Sequence, residues 1–344
     1  MDKLVVFNNS DLSRLLNIRP FESKFGEHVN ILPETCNIYE YIETLDVDYI
    51  LVGLPEDVGV FANLGNLGTS KTWETTLKNL LNIQKNEFTN PERVLILGHL
   101  NFEKELEKIN TLDRKIDKQL AKSRKIVSKI DKHVSHLIYS IIKAGKKPII
   151  IGGGHNNAYG NIKGAALASN SSINVINFDA HTNFRPEEGR HSGNALTYAF
   201  TEGFLNNYYI FGLHESYISN TILKTINKLN HVNFSTYEDM EIKQNTSFKK
   251  ELQNALTHVG DQSFGIELDC EAIENISSNV MSPAGFSLKK ARQFVHYFGK
   301  RERAQYLHIC EASPTEENID QIGKLITYLI TDFISANTSK KMEE

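Results

Sequence analysis

Short apolar segments alternate with longer amphipathic segments along most of the chain. Eight apolar segments rich in Ile, Val, Phe and Tyr are predicted as strands, namely Tyr49–Leu54, Arg93–Leu97, Pro148–Gly152, Ile173–Phe178, Tyr208–Gly212, Val232–Phe234, Phe264–Cys270 and Gln305–Cys310. Several are apolar at consecutive positions, which is typical of a parallel sheet covered on both faces. Strands that alternate with helices predict an α/β fold with crossover connections.

The clearest helix is predicted between Ala121 and Ala144. Apolar residues recur there every three or four positions, and Gly145 follows as a stop signal. We interpret the charged segment Glu103–Lys132 as a solvated helical insertion. No Pro/Ser-rich linker and no internal repeat divides the sequence, so we predict one domain over residues 1–338 and a frayed tail over 339–344.

Composition and charge exclude several classes of protein. The 344 residues contain 38 Lys and Arg against 42 Asp and Glu, a net charge of −4, so no basic excess favours nucleic-acid binding. No segment approaches the roughly 20 apolar residues of a bilayer span, and no secretory signal is visible. The three cysteines are too scattered for a disulfide framework. We therefore expect a cytoplasmic protein that binds neither nucleic acid nor membranes.

Histidine and carboxylate side chains collect where four of the predicted strands end. In chain order they are His155, Asp179 with His181, Asp269 with Glu271, and Glu311. The carboxyl ends of parallel strands form the ligand-binding edge of an open sheet. Residues two apart in extended backbone share a face, so each Asp can reach the same point as its neighbour. A mixed imidazole and carboxylate set suits Mn, Fe, Co or Zn, and the sequence predicts a divalent-metal site.

Four segments around these residues resemble, in order, the signatures of the ureohydrolase superfamily of arginases, agmatinases and formimidoylglutamases. They are Gly152–His155, Asp179–Asn183, Asp269–Glu274 and Cys310–Pro314, preceded by Val52–Gly59 and Gly65–Gly68, which resemble the opening strand and loop of the family. The resemblance covers about residues 47–335. It implies a three-layer α/β/α domain with about eight mostly parallel strands and a binuclear manganese site.

The resemblance also implies roles for individual residues. The implied metal ligands are His155, Asp179, His181, Asn183, Asp269 and Glu271. Glu311 matches the carboxylate that holds the cationic nitrogens of the substrate, a role that suits bidentate pairing with an amidinium. The family usually has Asp at the positions of Asn183 and Glu271 and often at Gly154, so two ions, one ion and no ion are all open. Shifting the alignment by two would make Glu267 the ligand in place of Glu271.

The loop after the second signature separates the members of the superfamily. Formimidoylglutamases resemble this chain in having Arg at position 185, and an Arg fork suits a substrate carboxylate, although a surface Arg beside Glu187 and Glu188 is the alternative. The Ser-Gly that follows His191 is also closer to formimidoylglutamases, and His191 is a candidate proton donor. The further expected substrate contacts in this loop are Arg190, Ser192 and Asn194.

These features predict hydrolysis of a C–N bond in a linear amidine. The first hypothesis is cleavage of N-formimidoyl-L-glutamate to glutamate and formamide in histidine degradation, with His191, Asp269 and Glu311 as catalytic residues. The second is a guanidine hydrolase that acts on arginine or agmatine and releases urea. The third is a metal-poor family member with a binding or regulatory role. Relatives commonly form trimers or hexamers, so a homo-oligomer is also expected.

Overall fold

The computed structural model describes residues 3–33, 38–278 and 280–338. Its strands are β1 (Leu4–Val6), β2 (Tyr49–Gly53), β3 (Val94–Leu100), β4 (Lys147–Ile151), β5 (Ile173–Phe178), β6 (Leu205–Leu213), β7 (Val232–Thr236), β8 (Phe264–Asp269) and β9 (Ala304–Cys310). Its α-helices are α1 (Asn9–Leu15), α2 (Ile38–Thr44), α3 (Val58–Ala62), α4 (Thr72–Leu80), α5 (Glu103–Asn110), α6 (Asp117–Lys143), α7 (Asn157–Ser169), α8 (Ala195–Thr201), α9 (Asn220–Ile226), α10 (Phe248–Val259), α11 (Leu288–Gly299) and α12 (Ile319–Thr338).

The nine strands form one sheet in the order β1-β3-β2-β4-β9-β8-β5-β6-β7. All neighbours are parallel except β1, which runs antiparallel to β3 and pairs Leu4 with Leu100. The predicted α/β fold with a mostly parallel sheet is confirmed, and all eight predicted strands are present. The sequence pattern missed β1 because three residues at a sheet edge are too short to show a period.

Helices cover both faces of the sheet. On β4, Ile149 and Ile151 pack into an apolar cluster with residues of α4, α11 and α12, whereas Ile150 packs into a second cluster with residues of α6 and α7. Successive side chains of a strand point to opposite faces, so a strand buried on both faces must be apolar at consecutive positions. This arrangement is the three-layer α/β/α architecture that the resemblance implied.

The long helix α6 corrects the expectation of a solvated insertion. It begins at Asp117, four residues before the predicted start, and buries Ile126, Val127 and Ile130. Its buried face packs on α3 and α7. The expectation holds for most of α5 but is wrong for the second half of the charged segment, because apolar residues at helical spacing bring α6 onto the core.

Several predictions concern boundaries or single residues. All described strands belong to one sheet, but the boundaries of the predicted single domain stay a prediction, and the tail at 339–344 lies outside the described residues, as does Cys36. Cys270 and Cys310 are free buried thiols, as expected of small core residues. None of the described helices is both long and apolar enough to cross a bilayer.

Candidate active site

The four candidate segments follow four strands that are neighbours in the sheet. In sheet order these strands are β4, β9, β8 and β5. In the sequence β5 comes before β8 and β9, but in the sheet β8 and β9 lie between β4 and β5. Since all four strands are parallel, their carboxyl ends meet at one edge. The topology therefore brings together residues that lie up to 156 positions apart in sequence, such as His155 and Glu311.

The glycine-rich turn after β4 sets the position of His155. Gly152 and Gly153 have φ angles of 88° and 73°, which L side chains rarely adopt. A Cβ atom on Gly153 would lie 2.8 Å from the carbonyl oxygen of Leu54. The turn is fixed to β9 by a hydrogen bond from the Gly152 amide to the Ile309 carbonyl, at 2.9 Å. Glycine is thus required where the chain leaves β4 towards the site.

A buried carboxylate, Glu56, holds the same turn from the other side. Its Oε1 atom accepts hydrogen bonds from the side-chain amides of Asn156 and Asn157, at 3.1 and 2.8 Å, and its Oε2 atom accepts one from the Val58 amide at 2.7 Å. Burial raises the pKa of Glu56 above its ordinary value. A Cβ atom on Gly154 would lie 2.7 Å from Asn156 Oδ1 and 2.8 Å from Val60 Cγ2, so the Asp that the family often has there would require these side chains to shift.

His155 lies against two carboxylates and an amide. Its Nδ1 atom is 2.9 Å from Asp269 Oδ2, 3.2 Å from Asp179 Oδ2 and 2.8 Å from Asn183 Nδ2. The Asn183 amide also donates a hydrogen bond to Asp179 Oδ2. The His155 ring is 1% exposed, so these contacts are closed to solvent. Four of the six expected ligands therefore converge on one point.

The other two expected ligands meet on the far side of Asp179. His181 Nδ1 lies 3.2 Å from Glu271 Oε2 and 3.7 Å from Asp179 Oδ1. The two oxygens of Asp179 thus face different imidazoles. Asp269 is fixed by the Glu271 amide, which donates to Asp269 Oδ1 at 2.8 Å. One carboxylate, that of Asp179, is therefore shared between two histidines, which suits two adjacent cation sites.

The carboxylates of this edge repel one another. Burial, and then the charges of Asp179 and Glu271, raise the pKa of Asp269 to about 7. Burial also raises the pKa of Glu311, with Glu271 and Asp269 adding to the effect. Burial acts in the same sense on Asp179, but the neighbouring His155 and His181 rings reverse it and lower the pKa of that carboxyl.

Two buried oxygens of this cluster, Glu271 Oε1 and Glu311 Oε2, have no hydrogen-bond partner among the described residues. Buried acceptors and crowded anions are what a divalent cation stabilises, and carboxylate, imidazole and amide groups are suitable ligands. The donor set therefore fits a divalent metal. The alternative ligand Glu267 instead lies beyond the Nε2 side of His155, with its Oε2 atom 3.5 Å from that nitrogen.

Glu311 is held in an uncommon backbone conformation. Its φ angle is 60°, and that of Asn183 is 48°, both in the left-handed region. Such residues cost about 1–3 kcal/mol each and are found where the surroundings fix them, often at functional sites. Here the Glu311 amide donates to the Gly153 carbonyl, and Glu311 Oε1 accepts from the His155 amide at 2.7 Å. These bonds leave Oε2 of Glu311 for another partner.

Arg185 lies in a partly exposed polar cluster with Asn63 and Glu188. Its guanidinium donates to Asn63 Oδ1 at 2.9 Å and to Glu188 Oε1 at 2.7 Å, and the side chain is 46% exposed. Asn63 also donates to Ser192 Oγ at 3.1 Å. One helical turn before Asn63, Val60 packs beside Gly154 at the start of the candidate centre. Asn63, a contact that the sequence did not single out, thus links Arg185 to Ser192, and the roles of Arg185 and Ser192 towards a substrate stay predictions.

Arg190 and Asn194 build the loop instead of facing a substrate. Arg190 donates to Asp131 at 2.9 and 3.3 Å, to Asn194 Oδ1 at 2.7 Å and to the carbonyl oxygens of Asn156 and His191. These bonds use its N–H groups within the protein. Asn194 in turn donates to the carbonyl oxygens of Pro186 and Gly189. The geometry therefore gives both residues a structural role, which the sequence could not show because Asp131 is 59 positions away.

His191 is also engaged on both sides of its ring. Its Nδ1 atom accepts from the Gly193 amide at 3.1 Å, and its Nε2 atom lies 3.1 Å from Glu188 Oε1. Burial, and then the charges of Arg185 and Arg124, lower the pKa of His191 to about 3. The neutral ring therefore donates from Nε2 to Glu188, and this geometry does not support the expected role as proton donor to a leaving group.

A stack of rings supports His181 at the mouth of the site. The Tyr217 ring lies 5.0 Å from the His181 ring at an interplanar angle of 13°, and the His214 ring stacks on Tyr217 at 5.1 Å and 18°. Tyr237 continues the stack at 4.7 Å from His214. The Tyr217 ring thus packs directly on the ring of a candidate metal ligand.

Fold and site together define an α/β protein with a candidate divalent-metal centre at the carboxyl edge of its sheet. A model of the arginase family matches residues 48–335. This chain therefore belongs to the arginase family, as the four sequence signatures predicted.

Among curated relatives, the formimidoylglutamase of Hahella chejuensis is 30% identical over 175 residues, which cover 48% of this chain and 47% of that protein. The formimidoylglutamase of a Geobacillus species is 25% identical over 199 residues, which cover 54% and 59%. The chain thus spans about half the length of the curated relatives that it matches.

Solved structures show the same fold. Formimidoylglutamase from Bacillus subtilis superposes with a TM-score of 0.72 at 18% identity, over 97% of this chain and 99% of that chain. Formiminoglutamase from Trypanosoma cruzi, solved with Mn2+, superposes with a TM-score of 0.70 at 16% identity, over 92% and 99%. These likenesses establish an arginase-like fold for this chain.

The burial of His191 predicts how it titrates. Because its pKa is about 3 when folded and about 6.5 when unfolded, the unfolded chain takes up the proton first, and stability falls as the pH drops below about 6.5. In an NMR titration the ring resonances of His191 should not shift between pH 8 and 5. The difference in Tm between wild type and His191→Gln should narrow over the same range. Titration of His191 near neutral pH would contradict a buried ring whose two nitrogens are both hydrogen-bonded.

Proposed function

We propose that this chain is a metal-dependent amidinohydrolase that hydrolyses N-formimidoyl-L-glutamate to glutamate and formamide. The observation that carries the proposal is the position of Asp179 between the His155 and His181 rings, together with a Glu311 carboxylate that is bound to the His155 amide and has one unpartnered oxygen. Membership of the arginase family and the similarity to formimidoylglutamases support it.

Six residues would hold two divalent ions, for which manganese is the proposed identity. They are His155, Asn183 and Asp269 on one side, His181 and Glu271 on the other, and Asp179 between them. Asn183 would offer its amide oxygen. When bound, the ions supply Lewis-acid activation of water and of the amidine. The Mn2+ in the Trypanosoma cruzi structure supports this identity.

The remaining groups bind the substrate and move protons. The unpartnered Oε2 of Glu311 accepts N–H bonds from the planar amidinium, a pairing that suits the two geometries. Asp269 takes up the proton that the attacking water loses. Both ring nitrogens of His191 are hydrogen-bonded, to Glu188 and to the Gly193 amide. Water, and not His191, therefore delivers the proton to the leaving nitrogen. Arg185, whose guanidinium is partly exposed, pairs with a carboxylate of the glutamate part.

A second candidate function is that of a metal-poor binding protein. One observation favours it, because the Asn183 amide already donates to Asp179 and approaches His155, so part of the cluster is satisfied without a cation. The expected homo-oligomer and the cytoplasmic location also stay predictions.

The direct test is a product assay on protein loaded with Mn2+. Formimidoylglutamate, arginine, agmatine and guanidinobutyrate are offered in parallel, and only the first should react, giving glutamate and formamide in equal amounts. Glu311→Gln keeps an acceptor for the His155 amide but loses the charge, so kcat/KM should fall at least about 30-fold. Release of urea would support the guanidine-hydrolase alternative, and no turnover of any amidine would contradict the proposal.

Arg185 should determine the preference for a carboxylate-bearing substrate. Arg185→Lys loses one charge-assisted hydrogen bond, so KM for formimidoylglutamate should rise about 10- to 150-fold with kcat nearly unchanged. The matched control is Arg292→Lys, which makes the same change in a bidentate pair with Asp332 on α11 and α12 and should leave KM unaltered. A loss confined to kcat would show that Arg185 does not bind the ground-state substrate.

Asn183 should limit the affinity for metal. Asn183→Asp adds a charge beside the cation, and at an effective dielectric constant of about 20 such a charge contributes a few kcal/mol, so Mn2+ should bind about tenfold more tightly or better. Free Mn2+ measured by EPR gives the dissociation constant. The exposed substitution Asn220→Asp controls for net charge. A wild type that binds no Mn2+, restored by Asn183→Asp, would favour the metal-poor alternative.

A further inference from the structure

A second buried polar layer lies directly beneath the candidate metal centre. Glu267 on β8 and His308 on β9 are direct neighbours in the sheet, and Tyr306 lies two residues before His308. All three side chains are fully buried. Glu267 and Asp269 share one face of β8 and differ by one two-residue step, about 7 Å in depth. None of the roles proposed above uses this layer.

The layer fixes the Glu267 carboxylate in one orientation. Tyr306 Oη donates to Glu267 Oε1 at 2.9 Å, and His308 Nδ1 lies 2.5 Å from Glu267 Oε2. Asn161 on α7 adds a longer contact of 3.4 Å to Oε1.

A glycine in β8 makes this layer possible. Gly265 pairs directly with Tyr306 across the two strands. A Cβ atom at position 265 would lie 2.2 Å from Tyr306 Cζ and 2.3 Å from its Oη. The Tyr306 ring therefore crosses β8 in the space left by the missing side chain, and its hydroxyl reaches Glu267.

His155 lies between the two layers. Its Nδ1 atom faces Asp269, Asp179 and Asn183, as described above, whereas its Nε2 atom faces Glu267 Oε2 at 3.5 Å. The Nε2 atom is buried and has no hydrogen-bond partner among the described residues. An imidazole that binds a metal through one nitrogen almost always donates its other N–H to a carboxylate, a carbonyl or water. On this side of the ring the nearest carboxylate is Glu267.

We propose that Glu267 is a positioning residue, which Tyr306 and His308 hold in place so that its carboxylate accepts the Nε2–H of His155 and presents Nδ1 to the metal. This proposal rests on the proposed function, because it requires His155 to be a ligand. It also gives Glu267 a role other than the direct ligation that the shifted alignment suggested. Ring orientation and ligand basicity are the properties that such a carboxylate controls.

The test compares Mn2+ affinity, measured as free Mn2+ by EPR, among three variants of the full-length chain. Glu267→Gln keeps the shape and removes the charge, and Mn2+ should bind about 10- to 100-fold more weakly. Tyr306→Phe removes the hydroxyl that orients Glu267 and should weaken binding by a smaller factor. Tyr209→Phe is the matched control, because it removes a similarly buried tyrosine bond, to Glu251 at 2.9 Å, away from the site.

A second readout separates positioning from general stability. In protein loaded with diamagnetic Zn2+, the Nε2–H proton of His155 should resonate downfield in wild type and move upfield in Glu267→Gln. Both tyrosine variants should lower Tm, but only Tyr306→Phe should weaken Mn2+ binding. Should Glu267→Gln fail to fold, Tyr306→Phe against Tyr209→Phe still decides the question.

Two outcomes would overturn the proposal. One is a Mn2+ affinity of Glu267→Gln that equals that of wild type. If only Tyr306→Phe folds, the same result for that variant overturns the proposal. The other is equal weakening by Tyr306→Phe and Tyr209→Phe. In either case a wild type that binds Mn2+ and hydrolyses formimidoylglutamate leaves the proposed function intact. A wild type that binds no Mn2+ overturns the proposed function and the role of Glu267 together, whereas Mn2+ binding without turnover contradicts only the hydrolase.

Discussion

The repulsion among buried carboxylates is the constraint around which this edge of the sheet is built. Four of them, Asp179, Asp269, Glu271 and Glu311, lie at the ends of three strands that the topology makes neighbours. Anions removed from water need partners, and here the partners are two imidazoles, backbone amides such as those of His155 and Glu271, and the proposed cations. The hydrogen bonds of Glu311 to the Gly153 carbonyl and the His155 amide hold its backbone in the left-handed conformation.

Two further buried carboxylates stabilise the surroundings of the centre. Glu56 accepts hydrogen bonds that fix the glycine-rich turn, and Glu267 lies behind the His155 ring. Each is fully buried and each has several partners, so neither has the unsatisfied oxygens that mark Glu271 and Glu311. A buried carboxylate with its hydrogen bonds complete supports structure, whereas one with an oxygen left over is available to a ligand. This distinction separates supporting groups from candidate active groups in this chain.

The sequence predicts the sheet and the strand-end residues because both are local patterns. Buried parallel strands are continuously apolar, and the four signatures lie within a few residues of a strand end. Partners that come from distant segments leave no local trace. Arg190 was expected to contact substrate because it lies in the right loop, yet its partner Asp131 lies in a charged segment that gave no sign of burial. Which side of His155 receives Glu267 depends on the pairing of β8 with β9, which no local pattern specifies.

The two halves of the proposed centre differ in negative charge. The layer beneath it places a further carboxylate, Glu267, behind the half that has less. On the His181 side the expected carboxylate is kept, although Glu271 is longer than Asp. On the His155 side it is replaced by the neutral Asn183, so an ion there would be held by less negative charge. Glu267 lies behind that same imidazole, and a carboxylate that accepts Nε2–H increases the electron density on Nδ1. In the proposed centre, the charge missing beside His155 would therefore be partly restored by Glu267, acting through the imidazole ring.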